Sequence, residues 1–201
     1  MDTNAQAPGT GLSLRYLLVG LGNIGQKRRA VLGDRCVATV DPYNAEADHR
    51  DAEACPAASY DAVVLAVPNE VKIGLMRRFL GMGKHVLVEK PLIVDEPATD
   101  ELRRIAAPSG AVWQTSYNFR VEPMVVALKR HLEEGTIGRF YRARMFYGNG
   151  TAGQLAKTWR DSRYGVLEDL SSHLIDITGF VFGRGGAAFQ VWERRGYELD
   201  G

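Results

Sequence analysis

The feature that most constrains this chain is the spacing of short, continuously apolar runs between helix-patterned stretches, sustained from residue 14 to residue 115. Residues 14–20 (LRYLLVG), 36–40 (CVATV), 61–67 (DAVVLAV), 85–88 (HVLV) and 111–115 (AVWQT) each read as a strand. Between them, 23–32, 70–80 and 96–107 read as helices, with Pro68 stopping the third run and Gly81 and Gly83 closing the second helix. Strands that are apolar all round must be covered on both faces, and connecting helices do this when the strands run parallel. The expected fold class is therefore α/β, a doubly wound parallel sheet. A small, polar, Gly/Pro-containing stretch over 1–12 (MDTNAQAPGTGL) precedes it and reads as a flexible tail.

After Tyr117 the pattern changes. A helix is expected over 123–134, a strand with one wet face over 140–147 (FYRARMFY), a helix over 167–182 and a strand over 187–194. These read as the opening of an α+β domain. Two strands do not make an independently stable sheet, and their open edges invite pairing. A second copy of the chain or a complementing chain is the expected partner. The division is a tail at 1–12, a parallel α/β domain at 13–118 and a partial α+β domain at 119–201.

Charge narrows the function classes. Lys and Arg total 25 against 24 Asp and Glu, so the chain lacks the basic excess that draws proteins to nucleic acid or anionic membranes. Cys36 and Cys55 have neither metal-ligand spacing nor a disulfide framework and read as reduced packing residues; no metal is expected. The apolar stretch 12–21 is broken by Arg15 and is too short to span a bilayer, which leaves the cytoplasm as the expected compartment.

The first strand runs into Gly20-Leu21-Gly22-Asn23-Ile24-Gly25, a G-x-G-x-x-G turn that opens a helix. In this context each glycine has its own role. Gly20 permits the tight turn, Gly22 lets a diphosphate approach the backbone, and Gly25 lets helix and strand pack closely. The N–H groups of the helix start, with Asn23 and Ile24 in its first turn, face the phosphates. Asp41 ends the second strand, about 20 residues on, where a carboxylate accepts from a ribose 2′-hydroxyl. That carboxylate would repel a 2′-phosphate, and no Arg or Lys follows directly in Asp41-Pro42-Tyr43-Asn44, so NAD is expected over NADP. The domain is thus of Rossmann type. Pro68 and Asn69 end another strand at the same edge; they either line the cofactor or simply terminate the strand.

Hydride transfer at an alcohol carbon needs a group to take or give the hydroxyl proton. Two places offer one. Glu89-Lys90-Pro91 follows the fourth strand, where a lysine could stabilise a developing alkoxide; taken alone, a lysine at a strand end can equally be a solvated charge. In Asp169-Leu170-Ser171-Ser172-His173-Leu174-Ile175-Asp176, helical geometry puts Asp169, His173 and Asp176 within about 60° of one another. The apolar stripe of Leu167, Leu170, Leu174, Ile177 and Val181 lies elsewhere on the wheel, so His173 is expected off the core face. A neighbouring carboxylate could orient its ring, or the three could form an exposed face with ordinary i,i+4 pairing.

Taken in order, these residues resemble the glucose–fructose oxidoreductase/inositol dehydrogenase (Gfo/Idh/MocA) family. The matching blocks are Gly20 to Gly25, Asp41, Pro68-Asn69, Glu89-Lys90-Pro91, Tyr117-Asn118-Phe119-Arg120 with Pro123, Gly135-Thr136-Ile137-Gly138, Trp159-Arg160, and Gly165 through to Asp176. The resemblance implies that Lys90 polarises the substrate hydroxyl, that His173 is the acid/base, and that Asp169 orients His173 or holds the substrate. It also implies that Glu89 and Lys90 belong to the cofactor site and that Asn118, Trp159 and Arg160 lie near the nicotinamide or the substrate entry. The implied activity is an NAD-dependent dehydrogenase or reductase acting on the CH–OH group of a cyclic polyol, sugar or sugar derivative. Two departures stand out. The customary Gly-rich run is reduced to Tyr164-Gly165-Val166, and a customary glycine is Ser171. Family members also continue into a broad open sheet of which this chain holds only the opening. The alternative expectation is therefore a non-catalytic NAD-binding module or subunit.

Overall fold

The structure is a computed structural model and describes residues 13–148 and 170–183. The chain divides into two compact units, Met1–Ser116 and Tyr117–Gly201.

In the first unit, β1 (Tyr16–Val19), β2 (Cys36–Val40), β3 (Ala62–Leu65), β4 (His85–Glu89) and β5 (Trp113–Ser116) form one parallel sheet in the order β2-β1-β3-β4-β5. Its helices are α1 (Asn23–Leu32), α2 (Asn69–Gly81) and α3 (Glu96–Ala106). The expected α/β class and every expected element of this region are present, with several strand ends shifted by a residue or two. Local chemistry sets the helix boundaries. Asp95 caps α3 by accepting from the Ala98 N–H at 2.9 Å, with Pro97 in the first turn. Past the end of α2, Gly83 turns the chain with φ +72°.

Side-chain alternation divides the core between the two faces of the sheet. Leu17, Val19, Val63, Leu65, Val86 and Val88 pack with Met76, Phe79 and Leu80 of α2 and Leu102 and Ala106 of α3. The intervening Leu18 and Val64 pack with Leu21, and Leu32 at the end of α1 joins them on the opposite face. Both faces are thus covered, as continuous apolar strands require. Cys55 is buried and Cys36 half-buried, and both are free thiols.

The strand order places the site. From β1 the chain passes outward through α1 to β2, then crosses back to β3 on the other side of β1. The connections therefore diverge at the carboxyl ends of β1 and β3, the crevice where open α/β sheets take ligands.

In the second unit, α4 (Pro123–Glu133) packs against α5 (Ser172–Phe182), joined by a single helical turn at Asn118–Val121. The strand expected over 140–147 does not form: the segment is irregular. The Phe140 ring stacks on Phe182 at 4.4 Å, while Met145 and Tyr147 contact Thr178 and His173 of the same helix. Residues of both parities turn to one helix, which defeats the period-2 alternation of a strand. Of the helix expected over 167–182, the described part begins at Leu170 and the α-helix proper at Ser172; its first three residues, the strand expected over 187–194 and the 1–12 tail lie outside the described residues. No helix among the described residues is long and apolar enough to cross a membrane.

Phe79 is fully buried and meets the Tyr60 ring edge-on at 6.2 Å. Phe79→Ala is expected to cost about 3–5 kcal/mol, read from the guanidinium midpoint. Val31→Ala, at a position 71% exposed, should stay within about 0.5 kcal/mol of the parent.

Candidate cofactor and active site

Three glycines at the end of β1 do different work. Gly20 has φ +94°, and a Cβ there would fall 2.3 Å from the carbonyl oxygen of Ala66. A Cβ on Gly25 would fall 2.0 Å from the carbonyl oxygen of Gly20. Both positions are therefore glycine because the protein's own packing demands it. Gly22 is the exception. Its backbone (φ −69°, ψ −171°) suits any residue, and a Cβ would meet nothing within 4 Å. Folding has no use for a bare backbone there, whereas a ligand lying against it does.

Gly22 also heads α1, where no side chain caps the helix and no acidic residue occupies the first turn. The first N–H groups are left to an anion, and Gly22, Asn23 and Ile24 are all exposed. These residues fit a diphosphate.

Asp41, just past β2, accepts from the Leu21 N–H at 2.8 Å through one oxygen, and from Tyr43 and Asn44 N–H at 2.8 and 2.9 Å through the other. The Asn44 side chain in turn donates to the Leu21 carbonyl at 3.1 Å. Burial pushes the Asp41 carboxyl up, but the three backbone donors outweigh it and hold the group below the ordinary carboxylate range. The carboxylate thus ties the glycine turn to β2. An ionised carboxylate offers about four acceptor sites, so three occupied ones leave capacity for a hydroxyl donor.

At the ends of β3 and β4 the structure gathers Pro68, Asn69, Glu89, Lys90 and Pro91. The Glu89 carboxylate, expected at the cofactor, is engaged by α1: Arg28 Nε and Nη2 each reach Oε1 at 2.5 Å, and Nη2 also donates to Ser116 Oγ at 2.6 Å. What Glu89 brings to the edge is the placement of the turn. Lys72 joins this group although no sequence motif singles it out. It is only 3% exposed, and its Nζ donates to Asn69 Oδ1 at 2.8 Å, the Glu89 carbonyl at 2.7 Å and the Pro91 carbonyl at 2.6 Å. Burial lowers its pKa to about 8; Glu89 works against that shift and Lys90 adds to it. A signal for Lys72 exists, since it shares a helix face at i, i+4 and i+7 with the buried Met76 and Phe79.

In the second unit His173 departs from expectation. It is 5% exposed, not on an open face. The rings of Tyr117, Phe119 and Tyr147 meet it edge-on, with centroids at 5.9, 5.1 and 5.5 Å. The helical wheel locates one apolar stripe correctly, with Leu170 and Val181 buried, but cannot register aromatic residues from elsewhere in the chain covering a second face. Asp176 is engaged from another segment. Arg120 grips its carboxylate, with Nε at 3.0 and 2.9 Å from the two oxygens and Nη2 at 2.5 Å from Oδ1. Asn118 is exposed in the single turn after Tyr117. Asp169, Trp159 and Arg160 lie outside the described residues. No group of three His, Cys, Asp or Glu among the described residues could hold a metal.

The family model described as "Oxidoreductase family, NAD-binding Rossmann fold" (GFO_IDH_MocA) matches residues 14–117, just over half of the chain. The chain is 26% identical over 186 residues to inositol 2-dehydrogenase of Rhizobium meliloti (strain 1021), covering 86% of this chain and 56% of that one. It is 26% identical over 143 residues to scyllo-inositol 2-dehydrogenase (NADP(+)) IolW of Bacillus subtilis (strain 168), covering 70% and 40%. Among solved structures, scyllo-inositol dehydrogenase from Lactobacillus casei with bound NAD(H) and scyllo-inositol matches with a TM-score of 0.71 at 22% identity, over 84% of this chain and 56% of that one. At that identity the likeness speaks to the fold alone. The chain spans about half the length of the curated relatives it matches.

The contrast among the glycines can be measured. Gly22→Ala is expected to leave unfolding stability within about 1 kcal/mol of the parent or raise it, while weakening NADH binding, followed by nicotinamide fluorescence, at least about 10-fold. Gly20→Ala should instead destabilise the fold outright, by more than about 2 kcal/mol.

Proposed function

We propose, because this chain belongs to the Gfo/Idh/MocA family of oxidoreductases, that it binds NAD and moves a hydride to or from a cyclic polyol, sugar or sugar derivative. The observation that carries the reading is Gly22, a side-chain-free residue at a helix start that the protein's own packing does not require. Support for the substrate class comes from relatives named for inositols.

The bound nicotinamide supplies the hydride acceptor or donor. The backbone N–H groups at the head of α1 hold the diphosphate, and Asp41 accepts from a ribose hydroxyl. A second negative charge, on a 2′-phosphate, would be repelled by that carboxylate, which favours NAD over NADP. One relative carries NADP(+) in its name, so the preference is a question separate from binding itself. Pro68 and Asn69 line the same edge.

For the chemistry, the Lys90 ammonium donates to the substrate oxygen and stabilises its developing negative charge. His173 takes the hydroxyl proton during oxidation and returns it during reduction. Asp169 orients His173 or holds a substrate hydroxyl, and Asn118, Trp159 and Arg160 serve the nicotinamide or the substrate entry.

The test is NAD(H)-linked turnover over a panel of inositols, sugars and amino sugars. Lys90→Met and His173→Gln should each lower kcat by about 10²-fold or more, with the Kd for NADH held within a few-fold. Near-full activity in both variants overturns the assignment, and tight NADH binding with no turnover across the panel points to a non-catalytic NAD-binding module. Asp41→Ser should reduce the ratio of NADP to NAD dissociation constants by about 10-fold or more; an unchanged ratio removes Asp41 as the selector.

A further inference from the structure

Lys72 is the most deeply buried cation among the described residues of the first unit, and nothing in the proposed chemistry uses it. A lysine is rarely buried unless its charge is matched by partners. Here the match is geometric: three N–H donors meet three acceptors, with no donor left over. Two of those acceptors are the backbone carbonyls of Glu89 and Pro91, the residues on either side of Lys90. The third is the side chain of Asn69, at the first turn of α2. The ammonium therefore ties the helix start to the turn at two points that flank Lys90. On the other side, Arg28 holds the Glu89 side chain and links it to Ser116 at the end of β5. Between these two cations the Glu89 backbone and side chain are both fixed, and Lys90 projects from a turn with little freedom to shift.

We propose that Lys72 is a positioning residue: its ammonium fixes the Glu89-Lys90-Pro91 turn and so sets where the Lys90 amine sits at the cofactor edge. The inference rests on the role proposed for Lys90, and goes beyond it by naming what holds that amine in place. Burial lowers the Lys72 pKa to about 8, as it does for an ammonium whose hydration has been exchanged for fixed dipoles. Displacing a catalytic group by about 1 Å can cost about 10²-fold in rate, so a residue that never touches substrate can still govern turnover.

The test compares Lys72→Met, which keeps the length and removes the donors, with Lys72→Arg, which keeps donors. Three readouts are taken: the 13Cε–15Nζ resonance of Lys90 by NMR, the Kd for NADH, and kcat on the best substrate found. In Lys72→Met the Lys90 resonance should move and kcat should fall about 10-fold or more, while the NADH Kd changes by less than about threefold. In Lys72→Arg the resonance and kcat should return toward the parent. A folded Lys72→Met protein with an unmoved Lys90 resonance and kcat within twofold overturns the proposal. So does an equal loss of NADH affinity and kcat that arginine fails to restore, or unfolding of both variants, since each assigns the ammonium to stability alone. Absence of turnover in the parent protein counts against the proposed function and leaves the comparison of Lys90 resonances standing.

Discussion

The site depends on one steric constraint: the chain leaving β1 passes so close to the end of β3 that Gly20 has no room for a side chain, and α1 packs so close to Gly20 that Gly25 has none either. The Ala66 carbonyl occupies the place a Cβ on Gly20 would take, and the Gly20 carbonyl occupies the place of a Cβ on Gly25. This contact lies where the sheet's connections diverge, so it shapes the crevice and aims α1 into it. Asp41 and Asn44 brace the turn from the β2 side through Leu21. The proposed diphosphate cradle is thus held by the protein's own packing and hydrogen bonds, which reduces the ordering that binding would have to impose.

Electrostatics at the edge follow the same economy. Asp41 is kept ionised chiefly by its three backbone donors, with the charge of Arg50 adding a smaller attraction. Glu89, by contrast, is neutralised by Arg28, and its carbonyl is engaged by Lys72. One carboxylate is met by backbone N–H groups and the other by a guanidinium inside the protein. Their sequence contexts, each an acidic residue at the end of an apolar strand, look alike.

That likeness marks how far the sequence can be read. The parallel sheet is legible because its strands are apolar at nearly every position, and the glycine turn because strand, helix and Asp41 surround it. The network around Glu89 is not, since Arg28 and Glu89 lie far apart in the chain and nothing local to either names its partner. Lys72 is legible in principle from its place on the buried face of α2, but lysine ordinarily faces solvent. His173 shows the reverse error. A wheel drawn for an isolated helix puts it off the core, yet Tyr117, Phe119 and Tyr147 from two other segments close over it. The segment 140–147 alternates like a strand, yet Phe140 and Tyr147, of opposite parity, both turn to one helix.

The link that Arg28 of α1 makes to both Glu89 of β4 and Ser116 of β5 has a bearing on how such a sequence can drift. Arg28, Glu89 and Ser116 form one connected set, with the carboxylate side chain only 11% exposed. Replacing either charged member alone strands its partner's charge in a poorly solvated place, which is far costlier than losing the pair together. Descendants of this chain should therefore exchange Arg28 and Glu89 as a couple, leaving a trace of correlated change between the first helix and the fourth strand even where overall identity has decayed.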